Sequence, residues 1–333
     1  MKEELSCKEV ILGVDTHLDV HVGAIINETG KLLGTKSISV NTNGYRDLYS
    51  WASSFGQLNR AGVEGTGTYG AELFKYLESN GVMVIEVNRP DRAARRLQGK
   101  SDTTDAVCAA NSVLSGKSTA IPKQKSGACE AMRIVSVARR SAIKDKTQTI
   151  NQIRALLISA PQEIREKLWR TKAMDCVKMC IRIKILGDTV LLESMTSTLK
   201  LLAKRWLMLS KEIIQLDKML DDLTLKYAKK LRSRFGVGPQ TAATLLSVAG
   251  DNPQRLKNES ALASLCGTNP LPASSGKTIR HRLNRGGNRV ANNALWTIAM
   301  VRMRSDLRTS VTCPLSLPTP ANAKSKNQPS LVA

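Results

Sequence analysis

The sequence lacks the long apolar run that a membrane span requires. A span needs ~18 consecutive apolar residues, and the N-terminal run over residues 10–14 ends at Asp15. The chain also has only 3 histidines, and its 7 cysteines form no CxxC pair, so the ligand spacing of a structural zinc site is missing. We therefore expect a cytoplasmic protein that has neither a signal peptide nor a structural zinc site.

Acidic residues are scarce relative to basic ones. The 28 Asp and Glu residues face 50 Lys and Arg residues, which leaves a formal charge of +22 over 333 residues. Hydrophobic content of 42% lies in the globular range, and the length is enough for two or three domains. The charge predicts a partner rich in phosphate, and the composition does not distinguish DNA from RNA.

The first part of the chain alternates strand and helix patterns. Strands are predicted where Val, Ile and Leu cluster, and helices where apolar residues follow a helical spacing. The order is βββαβαβα, over residues 10–15, 20–27, 31–40, 45–55, 61–64, 71–80, 82–88 and about 102–114. This order suits a mixed sheet flanked by helices, as in the ribonuclease-H-like fold. We predict an α/β domain of this kind, followed by helical regions.

The middle of the chain, residues 130–231, is predicted to be helical, with one break at Pro161. Its second part carries apolar residues at alternating spacings of three and four, which is the pattern of a coiled-coil seam. The seam can pair within the chain as a helical hairpin or between chains as a dimerisation coil. Its residues are Leu199, Leu202, Trp206, Leu209, Ile213, Leu216, Leu220 and Leu223.

A glycine turn follows the helical middle. Gly236 and Gly238 precede Pro239, which is predicted to occupy the first position of a helix. The turn resembles a helix-hairpin-helix element, in which backbone N–H groups at a helix start bind a nucleic-acid phosphate. A plain helical corner is the alternative. Further helices are predicted over residues 261–266 and 288–303.

Four acidic residues lie at the predicted ends of strands and at a helix start. Asp15 and Glu64 each end a strand, whereas Asp102 and Asp105 lie three apart where a helix begins. Because the first strand is expected to be central and to end beside the Glu64 strand, the four carboxylates can converge. Such oxygens suit Mg²⁺ or Mn²⁺. Two ions about 4 Å apart can activate the oxygen that attacks a phosphodiester and stabilise the oxygen that leaves. Alternatively, Asp102 caps its helix and Asp15 satisfies backbone donors.

Prolines and glycines are expected to hold residues 267–287 out of regular structure. Ser275 is followed there by cations that could grip a phosphate on several sides: Lys277, Arg280, Arg282, Arg285 and Arg289. The Ser275 hydroxyl could attack that phosphate and form a covalent protein–DNA link. From the local sequence alone, a passive phosphate-binding loop is the preferred interpretation, and the group that would activate Ser275 stays open.

A second basic stretch precedes the predicted Asp102 helix. It contains Arg92, Arg95, Arg96 and Lys100, which are expected to form a solvated or DNA-facing surface. With the glycine turn and the cations after Ser275, these residues make up the predicted nucleic-acid contacts.

Together these motifs resemble the insertion-sequence-110 family of DEDD transposases. The resemblance is carried by residues 13–19, 63–69, 100–106 and 273–277, and it extends over about residues 10–308. It implies a Holliday-junction-resolvase-like ribonuclease H fold whose catalytic, metal-binding tetrad is Asp15, Glu64, Asp102 and Asp105. It also implies that Ser275 is the covalent nucleophile, with its neighbour Ser274 as the alternative.

The resemblance further implies the activity and the partners. The protein would be the transposase of an insertion sequence, cutting and rejoining DNA with Mg²⁺ or Mn²⁺ under the guidance of a structured noncoding RNA. It would act as a homo-oligomer, a dimer or tetramer, in a prokaryotic cytoplasm and at the nucleoid when bound. Two alternatives remain: a structure-selective nuclease that uses water, and a non-catalytic basic nucleic-acid-binding protein.

The predicted domains are a ribonuclease-H-like catalytic domain over residues 8–125, a helical coiled-coil region over 126–230 and a C-terminal transposase domain over 231–308. Residues 309–333 differ in kind, since they contain several prolines and only Lys324 and Lys326 as charged residues. We expect this tail to be disordered. In the family a long, basic helix usually continues past the position of Arg308, so our hypothesis is a frameshift or a decayed end.

Overall fold

The computed structural model describes residues 8–87, 101–184 and 189–312. The chain forms two compact units. Of the described residues, the first unit comprises those up to Lys125 together with Asn252–Lys257, and the second comprises those from Ser126 to Asp251 and from Asn258 onward. None of the helices in these described ranges is long and apolar enough to cross a membrane.

A mixed five-stranded sheet forms the centre of the first unit, with the strand order β3-β2-β1-β4-β5. β2 runs antiparallel to β1 and β3, whereas β4 runs parallel to both β1 and β5. The strands are β1 (Glu9–Thr16), β2 (Val20–Asn27), β3 (Leu32–Ser39), β4 (Gln57–Glu64) and β5 (Met83–Val87). The predicted meander and the central position of β1 are confirmed.

The two faces of β1 contact different helices. Leu12 and Val14 pack in one core with α1 (Thr42–Ser53) and α2 (Ala71–Ser79). Ile11 packs on the opposite face with α3 (Asp102–Leu114). Because side chains alternate along a strand, the odd-numbered positions of β1 face α3. This sheet with flanking helices fits the ribonuclease-H-like α/β fold.

Glycines allow α3 to lie close against the sheet. A Cβ atom at Gly13 would collide with the carbonyl oxygen of Ala106 and the amide nitrogen of Ala110. One at Gly62 would lie 2.7 Å from the carbonyl oxygen of Ala109. The small, buried alanines of α3 complete this contact. Since Ile11 contacts the later part of α3, the helix starts near the carboxyl end of β1.

Two long helices form the frame of the second unit, α4 (Ala128–Ile158) and α7 (Val190–Tyr227). Met132 near the start of α4 packs with Leu220 near the end of α7. Leu157 at the end of α4 packs with Leu199 in the first half of α7. The helices are therefore antiparallel, and the predicted seam pairs within the chain as a helical hairpin, the first of the two arrangements left open by the sequence.

Two short helices cover one end of this hairpin. They are α5 (Gln162–Leu168), which follows Pro161, and α6 (Ala173–Arg182). Cys176 and Cys180 of α6 are fully buried free thiols in the same apolar cluster. They lie on the buried face of α6.

The C-terminal part of the second unit is built from shorter elements. They are α8 (Lys229–Arg232), α9 (Pro239–Ala249), α10 (Glu259–Cys266), β6 (Pro270–Pro272), β7 (His281–Leu283), α11 (Arg289–Ser305) and α12 (Leu307–Thr312). A 3₁₀ turn at Pro253–Arg255 belongs to the first unit.

The predicted tail begins differently from our expectation. α11 ends at Ser305, and residues 309–312 belong to α12 rather than to a disordered segment. The cause is Asp306, whose extended backbone ends α11 and whose Oδ2 accepts hydrogen bonds from Arg302 Nη2 at 3.0 Å and Thr309 Oγ1 at 2.7 Å. A carboxylate at a helix start favours a new helix. The remainder of the predicted tail lies outside the described residues.

Candidate active site

Asp15 and Glu64 lie at the adjacent ends of two parallel strands. Val14 of β1 pairs in register with Val63 of β4, so the next residues, Asp15 and Glu64, both face α3. The Thr16 hydroxyl donates to the Glu64 carbonyl oxygen at 2.8 Å and ties the two strand ends together. Asp15 is only 7% exposed, whereas Glu64 is half-buried.

The first turn of α3 carries the other two predicted acids. Ser101 caps this helix, because its Oγ accepts from the Thr104 amide at 3.2 Å. The alternative that Asp102 is the cap is therefore wrong. Asp105 is 4% exposed and lies on the face of α3 toward the sheet, while Asp102 is exposed at the helix start.

His17 stands between two of these carboxylates. Its Nε2 lies 3.2 Å from Asp15 Oδ2 and 3.5 Å from Asp102 Oδ1. One ligand atom from each of these three residues lies within 4.8 Å of the other two. His17 was not among the site residues predicted from the sequence, although an imidazole two residues after a strand-end aspartate is a usable signal, because histidine is a common metal ligand.

Electrostatics disfavour this cluster without a cation. Burial raises the pKa of the Asp15 carboxyl above its usual value. The imidazole of His17 opposes this effect, whereas the negative charges of Asp105 and Asp102 add to it. Repulsion among nearby carboxylates is relieved by a bound positive ion. The oxygen donors and the imidazole nitrogen therefore fit a divalent metal.

The predicted tetrad is thus brought together in part. β1, β4 and α3 place all four acids toward the same end of the sheet, and the compact group of ligand atoms contains Asp15 and Asp102. Asp105 is close enough for its negative charge to raise the pKa of Asp15. The Glu64 carboxylate lies outside the group of atoms within 4.8 Å.

Ser275 lies at the tip of a β-hairpin in the second unit, which corrects the expectation of an irregular loop. β6 and β7 are antiparallel, and beyond them Ser275 and Thr278 exchange two backbone hydrogen bonds of 3.1 Å. Ala273 also donates to the Arg280 carbonyl at 2.8 Å. Hydrogen-bonded positions alternate in such a ladder, and Pro270 and Pro272 fall between them, where no N–H is needed.

The hydroxyls of the two neighbouring serines differ in their contacts. Ser274 Oγ accepts from the Arg280 amide at 3.2 Å and donates to the Arg280 carbonyl at 3.4 Å. Ser275 is exposed at the start of the turn, where Gly276 has a φ of +54°. The side chain of Ser274 is thus engaged in holding the hairpin, and that of Ser275 faces solvent.

The cations predicted to bind phosphate lie on this hairpin or in the segment that follows it, and all are exposed: Lys277, Arg280, Arg282, Arg285 and Arg289. Gly236 has a φ of +82° in the turn before α9, and the Gly238 amide donates to Thr241 Oγ1 at 3.0 Å. The predicted contacts Arg92, Arg95, Arg96 and Lys100 lie outside the described residues.

Two family models match the chain. The DEDD transposase model of the IS110 type matches residues 12–160, and the model described as transposase IS116/IS110/IS902 family matches residues 228–311. No curated protein matches the chain. The acidic end of the sheet and the matched regions define the class of the protein, a DNA transposase that acts as a recombinase. It belongs to the IS110 family of insertion-sequence transposases.

Proposed function

We propose that this transposase cuts and rejoins DNA strands through a phosphoserine intermediate formed at Ser275. The observation that carries the proposal is that Asp15 of β1 and Asp102 of α3 share the His17 imidazole, at the end of the sheet where β4 also places Glu64. Acids so placed on a chain of charge +22 fit a site that handles a phosphodiester.

The divalent ion would be held by Asp15, Glu64, Asp102 and Asp105, and Mg²⁺ or Mn²⁺ suits these donors. When bound, the ion neutralises charge on the phosphate and stabilises the leaving oxygen. The chain contributes the rigid placement of its ligands: β1 and β4 hold Asp15 and Glu64, and the capped start of α3 holds the other two. Because Glu64 is half-buried and Asp102 is exposed, DNA would reach the site from this side.

The covalent step uses the exposed hydroxyl of Ser275. Its Oγ forms a bond to phosphorus while the bond from phosphorus to a sugar oxygen breaks, and the hydroxyl proton ends on the leaving sugar oxygen. Exposed guanidinium groups, among them Arg280 and Arg282, would hold the phosphate by charge-assisted hydrogen bonds. Reversal of the same step with another sugar hydroxyl rejoins strands without an external energy source.

Further parts of the proposal follow from family membership. A structured noncoding RNA would select donor and target DNA, and a homo-oligomer would hold the strands at the nucleoid. The three domains would be residues 8–125, 126–230 and 231–308. The turn at Gly236 and Gly238 would act as a helix-hairpin-helix element that contacts a phosphate. The basic stretch with Arg92, Arg95, Arg96 and Lys100 would also contact nucleic-acid phosphates.

The test is to trap a covalent protein–DNA adduct. The protein is incubated with DNA from the ends of its element, with and without the flanking transcript, and denatured before electrophoresis. Adduct is expected with the native chain and with Ser274→Ala, although more slowly with the variant. None is expected with Ser275→Ala, which should still bind Mg²⁺. Asp15→Asn should lose both adduct and metal binding.

Other outcomes would favour the remaining candidates. Cleavage by Ser275→Ala at the native rate, with no adduct at any time, would indicate a nuclease that uses water. Strand exchange that survives Asp15→Asn and Glu64→Gln would show that the acids are structural. Recombination that needs no transcript would remove RNA guidance from the proposal.

A further inference from the structure

His17 is held at the edge of the acidic site by the end of β1. Thr16 is the last residue of the strand, and its hydroxyl donates a hydrogen bond of 2.8 Å to the Glu64 carbonyl oxygen. This hydrogen bond holds the backbone next to His17 in place. The His17 side chain is 48% exposed, so an ion from solvent can reach the ring.

The distances around His17 suit ligands of a single ion. Two atoms bound at right angles to one ion, each about 2.1 Å from it, lie about 3 Å apart. The His17 Nε2 atom lies 3.2 Å from Asp15 Oδ2 and 3.5 Å from Asp102 Oδ1. The Asp15 carboxylate is buried, whereas the side chains of His17 and Asp102 are about half exposed and have room to move toward an ion that Asp15 holds.

We propose that His17 Nε2 is a ligand of the divalent ion held by Asp15 and Asp102, and that this nitrogen makes the site select Mn²⁺ over Mg²⁺. The inference rests on the proposed function, in which those acids hold a metal. Mn²⁺ binds carboxylate oxygens as Mg²⁺ does, but as a transition metal it also accepts an imidazole nitrogen, whereas Mg²⁺ keeps to oxygen ligands and gives up its water reluctantly.

Among the described residues of the first unit, His17 is the single histidine at this site. The chain has 3 histidines. His21 is fully buried on β2 and stacks on Tyr45 of α1, on the opposite face of the sheet. His281 lies on β7 in the second unit. A histidine nitrogen detected at the metal of this site can therefore be assigned by substitution.

The experiment measures metal binding rather than activity. Full-length protein is loaded with one equivalent of Mn²⁺, and pulsed electron paramagnetic resonance is used to detect coupling to ¹⁴N. Calorimetry gives the Mn²⁺ and Mg²⁺ affinities of the native chain, His17→Ala, His17→Asp and the control His281→Ala.

We expect ¹⁴N coupling in the native chain and in His281→Ala, and its loss in His17→Ala. The Mn²⁺ affinity of His17→Ala should fall about tenfold or more, while its Mg²⁺ affinity changes about twofold or less. His17→Asp, which restores an oxygen ligand, should lose the Mn²⁺ preference and still bind Mg²⁺.

Two results would overturn the inference: absence of ¹⁴N coupling in Mn²⁺-loaded native protein, or an equal loss of Mn²⁺ and Mg²⁺ affinity in His17→Ala. Asp15→Asn separates this failure from that of the proposed function. If Mn²⁺ binding depends on Asp15 but lacks the ¹⁴N signal, only the role of His17 is wrong. If the native chain binds neither ion, or binding survives Asp15→Asn, the proposed metal site is wrong as well.

Discussion

Gly13 of β1 lies directly against the backbone of Ala106 in α3, with no space between them for a methyl group. Asp105 precedes Ala106, so this contact also determines how near the buried carboxyl of Asp105 comes to Asp15. The closest part of the helix–sheet packing is therefore next to the acidic site.

We expect Gly13→Ala to push α3 away from the sheet. The free energy of unfolding should fall by about 1–3 kcal/mol, the usual cost of overpacking, and the Mg²⁺ affinity should fall with it. Urea denaturation and calorimetry measure the two quantities. Gly67→Ala is the matched control, because a Cβ atom there has nothing within 4 Å. Equal stability of the two variants would contradict the packing described.

Asp15→Asn should stabilise the metal-free protein. Burial raises the pKa of Asp15, which means that its ionised form is disfavoured in the folded chain. The neutral amide removes that penalty, so we expect the free energy of unfolding of the metal-free protein at pH 7 to rise. The stabilisation that Mg²⁺ confers should be lost. Thermal melts with and without Mg²⁺ measure both effects, with the exposed Asp47→Asn as control; a destabilised metal-free variant would refute this expectation.

Ser274→Ala should loosen the tip of the Ser275 hairpin. The Ser274 hydroxyl makes two hydrogen bonds to the backbone of Arg280, and a net loss of about 1 kcal/mol corresponds to roughly fivefold faster opening. Hydrogen–deuterium exchange over residues 273–280 measures this opening, and adduct formation should slow in parallel. Ser274→Thr keeps a hydroxyl and should restore both. Unchanged exchange in Ser274→Ala would rule out this positioning role.

Asp251 caps the long helix α4 from a distant part of the chain. Its carboxylate oxygens accept from the Cys129 amide at 2.8 Å and from the Gly127 amide at 3.1 Å. Asp251→Ala should lower the free energy of unfolding of the second unit by about 1–2 kcal/mol. Asp251→Asn keeps one acceptor and should lose less. Denaturation curves distinguish the three proteins, and identical curves would mean that the cap contributes nothing.

The ion pair between Glu9 and Arg60 predicts a pH dependence of stability. Arg60 Nε and Nη2 each donate to a Glu9 oxygen at 3.0 Å, and these hydrogen bonds hold the pKa of Glu9 below its usual value. The stabilisation is therefore present above the pKa of the unfolded chain, about 4.3, and is lost as pH falls through the lower folded pKa.

The variant Glu9→Gln tests this dependence. It should be less stable than the native protein by about 1 kcal/mol at pH 7, and the difference should vanish under acid conditions below the folded pKa. Urea denaturation at a series of pH values gives the comparison. A difference that stays constant down to strong acid would show that the carboxylate charge is not the cause.

Local patterns were enough to predict the central sheet of the first unit and to place Asp15 and Glu64 at strand ends. The clusters of Val, Ile and Leu that mark the strands depend on neighbouring residues, so the strands and their order along the chain could be derived from the sequence. Asp15 and Glu64 were recognisable because each ends an apolar strand. The resemblance to the family implied that these residues bind metal and take part in catalysis. It extended over about residues 10–308, and the two family models match residues 12–160 and 228–311.

The contact between His17 and Asp102 and the hairpin at Ser275 could not be derived in the same way. Asp102 is distant from His17 in sequence and reaches it only because α3 packs on the sheet. The Ser275 segment was expected to be irregular because it contains Pro270 and Pro272. The structure accommodates both prolines at positions of the ladder that need no N–H donor, and register of this kind is a property of two paired segments.

The amino-acid sequence by itself determined the periodicities, the charge of +22 and the order of the elements, because each of these depends on composition or on residues near one another. Tertiary structure decided which distant groups meet. The apolar seam of α7 packs against α4. Because Gly13 has no side chain, α3 lies close enough to the sheet to place Asp102 beside Asp15 and His17. Such contacts depend on the packing of complementary surfaces, and the pattern of either segment alone does not specify them.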